Sequence, residues 1–106
     1  MADIQHYLNL SIADSTKQTY STGEKRFIDF LSLYRPLNAQ PLPTNEETLM
    51  QYVAYLAKSV KHSTIKGYLA AVRHLNIRCG YQLNLTKYCR LHLVCRGIKR
   101  SQGDSI

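Results

Sequence analysis

The stretch His62-Ser63-Thr64-Ile65-Lys66-Gly67-Tyr68-Leu69-Ala70-Ala71-Val72-Arg73-His74-Leu75 carries two different stripes on one short helix. At roughly 100° per residue, Ile65, Tyr68, Leu69, Val72, Leu75 and Asn76 fall within about a third of the circumference, which makes that arc the core face. Opposite it lie Ser63, Lys66, Gly67, Ala70, Arg73 and His74, in which two cations alternate with small residues. So bare a backbone allows close approach to another surface, while Lys66 and Arg73, two turns apart, reach sideways toward anions. The same face also reads as a second helix-packing surface on which Lys and Arg are merely solvated.

Charge along the chain bears on that choice. The 106 residues are 44% hydrophobic, enough for one compact domain and too few for two ordinary ones. The net charge of +7 is unevenly placed: residues 1–57 carry four Lys/Arg against six carboxylates, and residues 58–106 carry ten against Asp104 alone. Between Lys58 and Gly103 there is no acidic residue, so internal ion pairing is not expected to neutralise that half, and a polyanion is its natural partner. No run approaches the roughly 18 apolar residues that cross a bilayer. Met1-Ala2-Asp3-Ile4-Gln5-His6 lacks the basic opening and apolar run of a secretory signal. Three cysteines without a framework spacing agree with a reducing compartment, so an intracellular protein with no membrane contact is expected.

Outward from the opening stretch, the pattern predicts an all-α bundle of four to five helices. Residues 1–13 show no sustained period and read as a loosely ordered arm, although Tyr7, Leu8, Leu10 and Ile12 are able to dock on the core. A first helix is expected from near Ser15, capped by Asp14 and Ser15, to Tyr34. Tyr20, Gly23, Phe27, Phe30, Leu31 and Tyr34 form its core stripe. Pro36, Pro41 and Pro43 mark a connector. Thr44-Asn45-Glu46-Glu47 reads as a capping box with Thr44 as N-cap, opening a deeply buried second helix, Glu46 to Lys58. The third helix is the opening stretch, capped by His62 or Ser63 and ended by Gly80. After a loop to Leu85, a fourth helix from Thr86 to Ile98 turns Tyr88, Leu91, Val94, Cys95 and Ile98 inward and Arg90, Arg96 and Arg100 elsewhere. Residues 14–100 form the domain, and 101–106 a frayed tail.

Catalytic signals are weak. Cys79, Cys89, His92 and Cys95 supply zinc-type ligands on paper, but Cys95 fits the apolar period and buried thiols are the plainer reading, so no metal is expected. The five glycines are scattered singly, and no nucleophile sits in a recognisable setting of base and third group. No cofactor and no catalytic residue is assigned.

In order and spacing, four segments resemble the N-terminal core-binding domain of tyrosine recombinases, the SAM-like helical bundle of the phage-integrase family. They are Ser15-Thr16-x-x-x-Tyr20 leading to Phe27-x-x-Phe30; Leu49-x-x-Tyr52-Val53-x-x-Leu56; Ser63-Thr64-Ile65-x-x-Tyr68-Leu69-x-Ala71-Val72; and Arg96-Gly97-Ile98-Lys99-Arg100. The wording is most similar to recombinases of mobile elements, and the resemblance covers nearly the whole chain. It implies that the first and third helices lie against the major groove of duplex DNA, with Thr16, Lys17, Gln18 and Thr19 on the first and Ser63, Lys66 and Gly67 on the third. Arg73 is added by the charge argument. Lys61 and His62 precede the third helix within reach of a phosphate, and Lys99 and Arg100 stand where the family's linker to its catalytic domain begins. Other recombinase protomers or such a catalytic domain are the implied protein partners, and a nucleus the implied location in a eukaryote. The family's nucleophilic tyrosine and its assisting residues belong to that other domain, so strand cleavage by this chain alone is not expected. Two alternatives stay open: a helical protein-interaction module using the Gly67-Ala70-Ala71 surface, and a helix-turn-helix regulator.

Overall fold

Aromatic and branched side chains at helical spacing on three long segments have to find each other, and their meeting makes the core. A computed structural model describes residues 2–34 and 42–103; the connector residues 35–41 and the last three residues of the tail lie outside it. The described residues form five α-helices and no strand: α1 (Ala2–Leu10), α2 (Asp14–Leu33), α3 (Glu46–Leu56), α4 (His62–Arg78) and α5 (Cys89–Gly103), with a 3-10 turn at Leu85–Lys87. The four helices expected from periodicity are α2 to α5.

Phe27, Phe30, Leu49, Tyr52, Val53, Leu56, Ile65, Leu69, Val72 and Leu91 are all buried in one cluster. Tyr52 sits at its centre, edge-on to Phe27 with ring centroids 5.0 Å apart, and its hydroxyl donates to the Gly23 carbonyl oxygen at 3.1 Å. Burial pushes the Tyr52 phenol well above its ordinary pKa, so it stays a donor. The most extensive interhelix contact joins α2 and α4. It depends on Gly23, where an added Cβ would lie 2.8 Å from the Ala71 Cβ and 3.1 Å from Tyr68 Cδ1. No side chain fits between those backbones.

Several polar residues fix the bundle in ways that local pattern does not disclose. The cap of α3 is Asn45, whose side chain accepts from the Thr48 N–H at 2.8 Å, not Thr44. Thr44 is engaged elsewhere: its N–H donates to Asn76 Oδ1 at 2.9 Å, and its hydroxyl accepts from Asn76 Nδ2 at 3.0 Å. Asn76 Nδ2 also donates to the Val72 carbonyl at 2.8 Å, so this fully buried amide ties the entry of α3 to α4. Glu47 does not reach back to a cap; it accepts from Gln51 one turn on. Glu46 reaches across to α5, accepting from the Leu91 N–H at 3.1 Å and facing Arg90 at 3.5 Å, which caps the start of that helix with a negative charge.

Other boundaries also differ from expectation. The cap of α2 is Ala13, with no side-chain bond, and Asp14 is the helix's first residue, 3.8 Å from the Lys17 ammonium. The cap of α4 is Lys61, again without a side-chain bond, and the His62 N–H is satisfied from a distance by Gln102 Oε1 at 2.8 Å. The tail is therefore not frayed at 101–103. There α5 continues to Gly103, and Gln102 Nε2 donates to the Ala57 and Val60 carbonyls. At the far end of α4, Gly80 (φ +91°) closes a Schellman motif in which Tyr81 N–H bonds the Asn76 carbonyl and Gly80 N–H that of Ile77. Residues 2–10 are helical rather than irregular, yet Ile4, Tyr7 and Leu10 are 64%, 68% and 61% exposed, and only Leu8 and Ile12 are half-buried. Of the cysteines, Cys79 and Cys89 are exposed and Cys95 half-buried, so the buried-thiol reading fits at most Cys95. No helix among the described residues is long and apolar enough to cross a membrane.

Candidate nucleic-acid interface

The close crossing at Gly23 brings the second and third turns of α2 beside the first two turns of α4. Gln18, Thr19 and Thr22 of α2 face Ser63, Thr64, Gly67 and Tyr68 of α4 across an open groove of about 450 Å³. Four residues predicted from sequence, Gln18, Thr19, Ser63 and Gly67, thus meet in one place. Gly67 is not bare to solvent: a Cβ built there would lie 3.2 Å from Thr19 Cγ2, and the residue is half-buried. Hydroxyls and an amide dominate this groove, which suits hydrogen bonds to phosphate and sugar more than charge pairing.

The charges stand on the neighbouring face. Lys66 and Arg73 project from α4, both exposed, about 10 Å apart along the helix axis at 1.5 Å per residue. With Arg96 and Lys99 of α5 they rim a second cleft of about 510 Å³, to which His62 and His92 also contribute. Among the described residues, no carboxylate lines it. Ion pairing has removed other cations from consideration: Arg78 is held by Glu24, Arg90 by Glu46 and Lys17 by Asp14. The basic half is therefore partly neutralised, against expectation, by acids supplied from the first half of the chain. Among the described residues, none of Lys66, Arg73, Arg96 and Lys99 has an ion-pair partner. The first turn of α4 carries no acidic side chain either, so its positive end adds to the field.

Not every predicted residue joins this surface. Thr16 is half-buried on the stripe that leads to Tyr20 and Gly23. Lys17 turns toward α1, lining a separate cavity with Leu8, Ile12, Tyr20, Glu24 and Arg78. Lys61 at the cap of α4 and Arg100 on α5 are exposed but line neither cleft, whereas His62, half-buried at the first turn of α4, contributes to the second. His74, read from the helical wheel as part of the open face, is half-buried with its ring 5.1 Å from that of Tyr20 and its Nδ1 enclosed without a hydrogen-bond partner. Burial, then the Arg78 charge, holds the His74 pKa below the ordinary imidazole value. Arg96 and His92 are the additions that the sequence did not nominate. Arg96 lies one helical turn before Lys99, and that spacing was the available signal.

Part of the Gly67-Ala70-Ala71 stripe is taken up within the fold. Ala71 is fully buried against Gly23 and the half-buried Gly67 lies against Thr19, so α2 covers much of the small-residue stripe, and Ala70 opens to the α4–α5 cleft. Among the described residues no three of His, Cys, Asp and Glu are grouped so as to hold a metal ion. Comparison with models of protein families, with curated proteins and with solved structures found no match.

Proposed function

We propose that this chain is a duplex-DNA-binding module of the core-binding type seen in tyrosine recombinases, with the second and third turns of α2 and the first two turns of α4 set against the DNA. The observation that carries the reading is the face on which, among the described residues, no carboxylate stands and Lys66, Arg73, Arg96 and Lys99 have no ion-pair partner, beside the Gln18–Thr19–Ser63 groove. In this reading the cations engage phosphates and supply most of the affinity, while the hydroxyls and Gln18 position the helices on the backbone. Contacts to phosphate and sugar fix register without reading base edges, so sequence preference is weak in this reading. No strand-cleavage step is assigned to the chain, and a catalytic domain or further recombinase protomers would be its protein partners.

Charge reversal tests this directly. In an electrophoretic retention assay on a random-sequence duplex, the Lys66→Glu/Arg73→Glu protein should lose binding. Lys25→Glu, on an exposed part of α2 away from both clefts, should keep it. Equal retention of the two variants would refute the assignment.

A further inference from the structure

The α4–α5 cleft has a property that DNA does not use. Its rim is cationic, but its floor is the half-buried Ala70, Leu85 and Cys95 over the buried Leu69 and Leu91, a more apolar lining than that of the α2–α4 groove. The cleft exists because α5 packs chiefly on α3 and only lightly on α4. Phosphates seated on the rim would leave that floor in water, since the duplex backbone presents no apolar ridge to fill it. An amphipathic helix with apolar residues at i, i+3, i+4 and i+7 presents such a ridge, and flanking Asp and Glu on it would meet cations on both sides.

We propose that the cleft between α4 and α5 docks an acidic amphipathic helix of a partner protein. Lys66 and Arg73 on one rim and Arg96 and Lys99 on the other receive its carboxylates, and the half-buried Ala70, Leu85 and Cys95 receive its apolar ridge. Charge complementarity selects this occupant over a second copy of the chain, whose exposed apolar helix, α1, offers Asp3 as its sole acid. Docking rests on the cleft's own geometry and stands without the DNA reading. A consequence that does rest on that reading is competition, because Lys66 and Arg73 would serve both ligands.

The test uses the full chain, isotope-labelled, with a roughly four-turn acetylated and amidated peptide carrying Leu on one stripe and Glu on both flanks, and a scrambled peptide of the same composition. In amide-correlation NMR without DNA, the amphipathic peptide should shift Leu69, Ala70, Leu85, Leu91 and Cys95 first, and the scrambled peptide should not. Lys66→Glu/Lys99→Glu should weaken the peptide about tenfold or more, with Lys25→Glu unchanged. In a Cys79→Ser/Cys89→Ser background the peptide should slow alkylation of Cys95. Equal shifts from both peptides, no shifts at millimolar peptide, or unprotected Cys95 would overturn the proposal. So would a duplex that shifts the floor residues more than the peptide does, or self-association in sedimentation equilibrium that Lys66→Glu/Lys99→Glu abolishes. Because the peptide experiment contains no DNA, its failure leaves the DNA reading intact, and a failure of DNA binding leaves docking intact.

Discussion

Replacing Asn76 by Ala should unfold the bundle at markedly lower denaturant, because one buried amide holds the entry of α3 against α4. The side chain is wholly enclosed and makes three bonds: it accepts from Thr44 N–H at 2.9 Å, and its two amide hydrogens go to Thr44 Oγ1 and the Val72 carbonyl. Truncation removes the acceptor that Asn76 Oδ1 provides to the Thr44 backbone N–H, at a residue only 2% exposed, for about 1–3 kcal/mol. It also removes the bond to the Thr44 hydroxyl, for about 1 kcal/mol, and opens a small void. A total of about 3 kcal/mol is expected. For a domain of this size that lowers the melting temperature by roughly 12–24 °C, at about 4–8 °C per kcal/mol. Urea unfolding followed by helical circular dichroism measures it, with an unchanged m-value as the sign that stability alone has moved. A loss below about 1 kcal/mol for Asn76→Ala would refute the claim that this amide fastens the two helices.

Two further predictions follow from the packing of α2 on α4. Gly23→Ala gains up to about 1 kcal/mol of helix propensity but forces a methyl into the Ala71 and Tyr68 contact, an overpacking cost of about 1–3 kcal/mol, so a net loss near 1 kcal/mol should appear in the same urea titration. His74, whose folded pKa lies below the unfolded value of about 6.5, makes stability depend on pH. Below that value the unfolded chain binds the proton first, so stability is complete above about pH 6.5 and is lost as pH falls toward the folded pKa. His74→Gln should flatten the difference in stability between pH 7 and pH 5 relative to the native chain. A variant that kept the native slope would show that His74 is not its source.

The core was legible in sequence because burial is periodic: the stripes of α2, α3 and α4 named Phe27, Phe30, Leu49, Tyr52, Ile65 and Val72, and those side chains form the cluster. Helix ends were less legible, since their capping groups come from far along the chain. Glu46 caps α5 across 45 residues, Gln102 satisfies His62 across 40, and Asn76 claims the Thr44 that local pattern assigns to a capping box. The short α1 escaped notice because a helix that buries little of its apolar face leaves no clear stripe. On the candidate interface, Lys66 and Arg73 were readable from the helical wheel. Which cations remain unpaired was not, because Glu24 and Glu46 neutralise Arg78 and Arg90 only through the fold.

The central claim is that four unpaired cations on the α4–α5 face are available to a polyanion, and the salt dependence of duplex binding measures it most directly. If Lys66, Arg73, Arg96 and Lys99 each meet one phosphate, log K against log salt falls with a slope of about −3.6, and affinity drops roughly 150-fold between 50 and 200 mM salt. Fluorescence anisotropy on a labelled random duplex should return that slope for the native chain and about −1.8 for Lys66→Ala/Arg73→Ala, in which two phosphate contacts are removed without adding repulsion. Binding indifferent to salt, or no binding at 50 mM, would contradict the account.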